Sequence, residues 1–238
     1  MIQTEHKSNG KLYCIGVGPG DPELMTLKAA RIIKACQVAA IPHVDTGQCV
    51  AYQIAVQAVP ELAKKEILCL DMPMTKDKER LARSHEAAAR QILEQLEQGK
   101  DVALLTLGDP SVYATSVYLE DRLGKAGMDT EMISGVPSFC AVAARLNIPL
   151  AKNSEELHIL PASYQIEDGL KLPGVKVLMK AGRNMKAVKQ LLVKGNYQVM
   201  MVQNCGMPGE QVYKTVQEIP DDAGYFSLII VRDCNDQQ

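Results

Sequence analysis

The sequence predicts an α/β fold in two domains, with a mostly parallel sheet in the N-terminal domain and a mixed sheet in the C-terminal one. Three observations predict it. Apolar runs alternate with helical patterns through the first half of the chain. Turns rich in glycine and proline follow several of those runs, where a parallel sheet ends its strands. The second half carries more strand-like runs, so antiparallel pairing is expected to enter there.

The elements follow in order. Residues 12–17 form the first strand, and Thr26 can cap a helix through Leu27, Ala30, Ile33 and Cys36. A short apolar run at 37–41, ended by Pro42, is the next strand. Residues 49–59 read as a helix stopped by Pro60. The clearest helix is 79–98, where Leu81, His85, Ala88, Ile92 and Leu96 share one face and Gly99 stops it. Residues 102–107 then form a near-continuous apolar strand, as expected when both faces of a parallel sheet are covered. The turn Gly108-Asp109-Pro110 leads to a helix at 114–125, ended by Gly127, and to a strand at 130–133. Pro137 suits the first turn of a helix that ends near Leu146. Strands are predicted at 157–161, 175–180, 197–203 and 225–231, with a further one at 213–216. Asn184 can cap a helix through Val188, Leu191 and Leu192. The domains are expected to divide near 108–116, giving 1–112 and 113–238. Two domains that meet without a flexible linker make a natural ligand cleft.

Composition narrows the function. At 238 residues the chain is long enough for one large core or two small ones. A net charge of -2 gives no long-range attraction for nucleic acid, and with no Trp and two Phe there is no stacking platform for bases. No apolar run approaches the length of a membrane span. Residues 1–9 are polar and lack a signal-peptide core, so a cytoplasmic protein is expected. The cysteines are seven, an odd number, with no zinc-ligand spacing, which reads as small buried hydrophobes in a reducing compartment.

Four turns beyond apolar runs are candidate ligand loops: 16–22, 108–113, 135–138 and 180–183. The first is the most informative. A dinucleotide fingerprint beginning at Gly16 needs glycine at position 21, and Asp21 stands there. Pro19 removes a backbone donor from the same turn. A pyrophosphate wants donors and no neighbouring carboxylate, so this loop argues for a small ligand that is not an anion. That counts against a nicotinamide dehydrogenase.

Gly16-Val17-Gly18-Pro19-Gly20-Asp21-Pro22, with Leu24-Met25-Thr26-Leu27-Lys28-Ala29, resembles the first signature of the tetrapyrrole methylase family. Leu107-Gly108-Asp109-Pro110-Ser111-Val112-Tyr113 resembles its second, and Gly135-Val136-Pro137-Ser138 its third. Asp71-Met72-Pro73-Met74-Thr75, with Tyr113-Ala114-Thr115-Ser116, is most similar to members acting at C-20 of precorrin-2 or cobalt-factor II in corrin synthesis. The resemblance implies a two-domain enzyme, commonly a homodimer, that binds S-adenosylmethionine folded in the cleft between its domains. By position, Pro19 is implied to line that pocket. Leu107, Gly108, Asp109 and Val112, with Tyr113 beside them, are implied to hold the amino-acid part and ribose, largely through backbone. Pro137, Ser138 and Phe139 are implied at the methionine region, Ala181 near the adenosyl group, and Asn204 and Cys205 near the adenine.

The chemistry agrees. Methyl transfer from a sulfonium to carbon is an in-line displacement that needs no metal and no covalent nucleophile, and alignment alone lowers such a barrier by roughly 7–11 kcal/mol at the limit. The meso proton must leave afterwards. Tyr113, Asp109 and a water stand equal as its acceptor, and no catalytic residue is assigned. The acetate and propionate arms of a tetrapyrrole need cationic or amide partners. Lys28, Arg31, Arg145, Lys152, Lys180 and Arg183 lie nearest the candidate loops. Of the histidines His6, His43, His85 and His158, His43 is the best placed to meet a substrate-bound cobalt. Two readings compete with a C-20 methylase: a methylase of another tetrapyrrole carbon, of the uroporphyrinogen III or precorrin-4 type, and a non-catalytic tetrapyrrole-binding protein. Removal of the Asp109 carboxylate is expected to weaken cofactor binding and leave the fold intact.

Overall fold

A computed structural model describes residues 8–234. The chain divides into two compact units, Met1–Pro137 and Ser138–Gln238. The first contains β1 (Lys11–Gly16), α1 (Leu27–Ala35), β2 (Val38–Ile41), α2 (Val50–Ala58), β3 (Glu66–Cys69), α3 (Lys78–Glu97), β4 (Val102–Thr106), α4 (Ser116–Lys125) and β5 (Asp129–Ile133). Its sheet has the order β3-β2-β4-β1-β5 and every pairing is parallel.

Both faces of this sheet are covered, which is why β2 and β4 read as unbroken apolar runs. Ile15, Ala39, Ile41, Ala103 and Leu105 pack with α1 and α2 on one face. Leu12, Cys14, Val38, Val102 and Leu104 pack with α3 and α4 on the other. Thr26 caps α1 as its sequence position suggests, accepting from the Ala29 N–H at 3.2 Å. Asp77 caps α3, accepting from Glu79 and Arg80 N–H at 3.0 and 3.1 Å, so that helix starts one residue earlier than expected.

Three differences from the sequence expectation have clear causes. Strand β3 went unseen, because it is a four-residue edge strand whose Glu66 and Cys69 are exposed. Helix α4 begins at Ser116 rather than 114, the turn after β4 extending through Tyr113 in a left-handed conformation (φ +50°) to Thr115 at the cap. The division between units falls at 137/138, beyond the expected 112/113, because β5 pairs with β1 from Lys11↔Asp129 to Ile15↔Ile133 and draws 113–137 into the first unit.

The second unit contains α5 (Ser138–Leu146), β6 (Leu157–Pro161), α6 (Glu167–Leu170), β7 (Val175–Met179), α7 (Met185–Lys194), β8 (Tyr197–Gln203), β9 (Gln211–Tyr213) and β10 (Ser227–Asp233). The order is β6-β7-β10-β8-β9. Strands β6 and β7 are parallel, and β10 runs antiparallel to both β7 and β8, so this sheet is mixed. The carboxyl ends of β6, β7 and β8 therefore share one edge with the amino end of β10. Asn184 precedes α7 but does not cap it. Its side-chain amide instead donates to the Ser163 carbonyl at 3.1 Å, tying the loop after β6 to the turn after β7.

Candidate functional site

In the first unit, β4 and β1 are neighbours whose connections leave in opposite directions. Helix α1 carries the chain from β1 across to β2 on one face, and α4 carries it from β4 past β1 to β5 on the other. That is a topological switch point, where an open α/β sheet leaves a crevice beyond its carboxyl edge.

Bare backbone fills that point. A Cβ on Gly16 would lie 2.6 Å from the Gly108 carbonyl and 2.7 Å from the Gly135 nitrogen. One on Gly135 would lie 2.2 Å from the Gly108 carbonyl. Gly18 and Gly108 bridge the first two loops: Gly108 N–H donates to Gly18 O at 2.8 Å, and Gly18 N–H to Gly108 O at 3.2 Å. Both have positive φ, +83° and +73°, the conformation glycine adopts without steric cost.

Asp109 locks the arrangement. Its side chain is 8% exposed and both oxygens are used. One accepts from the Ser111 backbone N–H at 2.8 Å and from the Ser111 hydroxyl. The other accepts from the Gly135 N–H at 2.9 Å. The carboxylate is thus a staple joining the loop after β4 to the loop after β5, and its charge is directed at protein donors. Asp21 has a similarly local task, accepting from Glu23 N–H at 2.9 Å at the head of a short 3-10 turn.

The first-unit candidates lie around this convergence. Pro19 is buried beside the Gly18–Gly108 bridge. Leu107 and Val112 are half-buried, Pro137 is half-buried at the end of the Gly135 loop, and Tyr113 is 46% exposed in its left-handed conformation. The sequence reading missed the pairing of Asp109 with Ser111 and Gly135. All three residues stood within recognised turns, but nothing in their spacing shows that a carboxylate bridges two loops.

In the second unit, Ser138 and Phe139 open α5. Ala181 follows β7 and is fully buried in the apolar core, so its methyl group faces protein and only its backbone borders the edge. Asn204 follows β8 with φ +54°, and Cys205 beside it is half-buried. Ala181 and Asn204 share an edge through the segment before β10. A Cβ on Gly182 would lie 2.9 Å from the Gly224 carbonyl, and Asn204 N–H donates to Phe226 O at 2.9 Å.

The candidate cations fare unevenly. Lys28 is paired with Glu131 at 2.8 Å and Arg145 with Glu210 at 2.5 Å. Lys180 is half-buried with φ +59°, and burial pushes its ammonium pKa down. Arg31 and Lys152 are exposed. Among the histidines, His43 is half-buried with Nδ1 3.0 Å from both Asp45 N and Asp45 O. His85 is buried and stacked on Tyr118 (centroids 5.0 Å apart), its pKa lowered by burial and then by Arg122. His158 lies 3.1 Å from Glu156, and His6 lies outside the described residues. Among the described residues, no group of three or more His, Cys, Asp or Glu side chains could hold a metal ion, and no helix is long and apolar enough to cross a membrane.

Comparison with known proteins gives a consistent result. Residues 11–220 match the family model of the tetrapyrrole (corrin/porphyrin) methylases. The chain is 33% identical over 232 residues to the cobalt-precorrin-2 C(20)-methyltransferase of Salmonella typhimurium, covering 94% of this chain and 96% of that protein. It is 33% identical over 226 residues to the probable cobalt-precorrin-2 C(20)-methyltransferase of Methanocaldococcus jannaschii (93% and 96% covered). It is 28% identical over 237 residues to the precorrin-2 C(20)-methyltransferase of a Sinorhizobium species (93% and 95% covered). Among solved structures, a cobalt precorrin-4 methyltransferase matches with a TM-score of 0.76 at 21% identity (93% and 94% covered). The uroporphyrin-III C-methyltransferase of Thermus thermophilus, complexed with S-adenosylhomocysteine, matches at 0.68 and 20% identity (94% and 97% covered).

Proposed function

We infer the activity from one premise: the chain belongs to the tetrapyrrole (corrin/porphyrin) methylases. The reading is a methyltransferase that uses S-adenosylmethionine to methylate C-20 of a precorrin-2-type tetrapyrrole in cobalamin synthesis. The observation that carries it is the 33% identity, over nearly the full length of both chains, to proteins named for that carbon. Those two names include cobalt, whereas the Sinorhizobium relative named without it is 28% identical, which favours a cobalt-loaded tetrapyrrole as the substrate.

The convergence of Gly16, Gly108 and Gly135 fits the methyl donor. Bare backbone allows close approach, Pro19 removes one donor from the loop after β1, and the nearby Asp21 carboxylate disfavours a phosphate. When bound, the donor supplies an electrophilic methyl group with its leaving group already in place. The residues of this chain bind and orient it. Pro19, Leu107, Gly108, Asp109, Val112, Tyr113 and Pro137 hold it in the first unit, Asp109 through its backbone while its carboxylate fixes two of the loops. Ser138, Phe139, Ala181, Asn204 and Cys205 keep the roles the resemblance implies. A cytoplasmic homodimer belongs to the same reading, and sedimentation velocity checks the dimer.

The test is transfer itself. With methyl-labelled S-adenosylmethionine and dihydro-tetrapyrrole, in cobalt-loaded and metal-free forms, NMR is expected to place the label at C-20, with faster turnover of the cobalt form. Label at another carbon overturns the position, and tetrapyrrole binding without transfer supports a carrier instead.

A further inference from the structure

The loop from Asn204 to Glu210 is closed on itself and then tied to a helix. Asn204, Gly206 and Gly209 all have positive φ (+54°, +71°, +78°). Met207 N–H donates to Asn204 O at 2.9 Å, and Glu210 N–H to Met207 O at 3.2 Å. The Glu210 carboxylate then serves two masters. One oxygen accepts from Gly206 N–H at 2.9 Å, inside the loop. The other accepts from Arg145 Nε at 2.5 Å, on α5. Arg145 stands seven residues after Ser138 on that helix, about 10 Å along its axis.

Glu210 therefore joins the two segments of the second unit assigned to the donor: the Asn204–Cys205 turn on the adenine side, and the helix that opens with Ser138 and Phe139. We propose that the Arg145–Glu210 pair is a positioning clamp that sets the spacing of these two segments, and that Arg145 is committed to this task rather than to a carboxylate arm of the tetrapyrrole. Geometry favours the clamp over a chance surface pair. Glu210 is only 21% exposed, and its second oxygen is held by a backbone donor, so the carboxylate is already oriented when Arg145 meets it. Arg145, at 54% exposure, contributes the contact that crosses from loop to helix. Neither residue touches the reacting atoms in this account. The proposal rests on the S-adenosylmethionine reading above.

The experiment compares Glu210→Gln and Arg145→Lys with the wild-type enzyme. Calorimetry measures S-adenosylmethionine, S-adenosylhomocysteine and methylthioadenosine binding, steady-state kinetics measures KM for each substrate, and a thermal melt monitors folding. The clamp predicts binding of all three adenosyl compounds about ten-fold weaker in Glu210→Gln, appearing in donor KM more than in kcat, with tetrapyrrole KM unmoved. Arg145→Lys, which keeps the charge but loses the fixed guanidinium fork, falls between. A raised tetrapyrrole KM with unchanged donor affinity overturns the proposal and returns Arg145 to substrate binding. A lowered melting temperature with unchanged donor affinity overturns it as mere structural support. Wild-type protein that binds none of the three compounds removes the donor reading and the clamp together, whereas wild-type binding with unaffected variants removes the clamp alone.

Discussion

The carboxyl edges of the two sheets solve the same problem by different means. The first brings three strand ends so close that only glycine fits, and one buried carboxylate, Asp109, locks two of the loops. The second also brings backbone together, Gly182 against Gly224 and Asn204 N–H on Phe226 O, but adds side-chain ties: the Asn184 amide between the loop after β6 and the turn after β7, and Arg145–Glu210 between the 204–210 loop and α5. The first edge is rigid because main chain meets main chain, and nothing there can give way. At the second, part of the spacing depends on one ion pair whose arginine is half exposed, so it responds to pH and salt as backbone contacts do not.

The largest effect is expected from Gly135→Ala. The added methyl would meet the Gly108 carbonyl at 2.2 Å, and the neighbour is backbone, so three loops must separate. A loss of about 3 kcal/mol or more in urea denaturation is expected, together with loss of donor binding. Near-wild-type stability would mean that the three strand ends do not converge as described.

Asp109→Ala comes next. Gly135 N–H would lose its acceptor in a half-buried loop, while the exposed Ser111 can turn to water, so about 1–3 kcal/mol is expected. The sequence expectation is weakened cofactor binding with the fold untouched. The staple instead ties weakened donor affinity to lowered stability. Asp109→Asn discriminates further: one amide oxygen can serve Ser111 or Gly135 but not both, so it should recover only part of each loss. Full recovery by Asn would show that the two-loop bridge carries no weight.

These two residues also show what was legible in the sequence. The glycines of the first and second turns were readable as a ligand loop because positive φ and close approach leave a compositional mark. Strands β2 and β4 were readable because burial on both faces leaves unbroken apolar runs. Strand β3 left no mark, being a short edge with exposed ends. The Asp109–Gly135 and Arg145–Glu210 links were invisible for another reason. They join residues 26 and 65 positions apart, and local spacing records nothing about such partners. Asn184 was misassigned because a cap and a cross-loop brace use the same residue type, and only the fold decides which neighbour the amide meets.

The smallest expected effect lies in pH, and it separates the two edges. The Glu210 carboxyl is held below its ordinary value of 4.5, first by the Gly206 N–H and then by the hydrogen bond and charge of Arg145. Because the folded pKa lies below the unfolded one, the stabilisation from this group is complete above about pH 4.5 and fades as pH falls through the folded value. Arg145 stays charged throughout, so the sign follows from the carboxylate alone. Donor affinity measured from pH 6 down to about pH 3 should weaken below about pH 4.5 in the wild type relative to Glu210→Gln, in which no carboxylate titrates at this site. Added salt should shrink that difference, since the arginine is largely exposed. Parallel pH curves for the two proteins would place the acid sensitivity elsewhere and leave the second edge as stiff as the first.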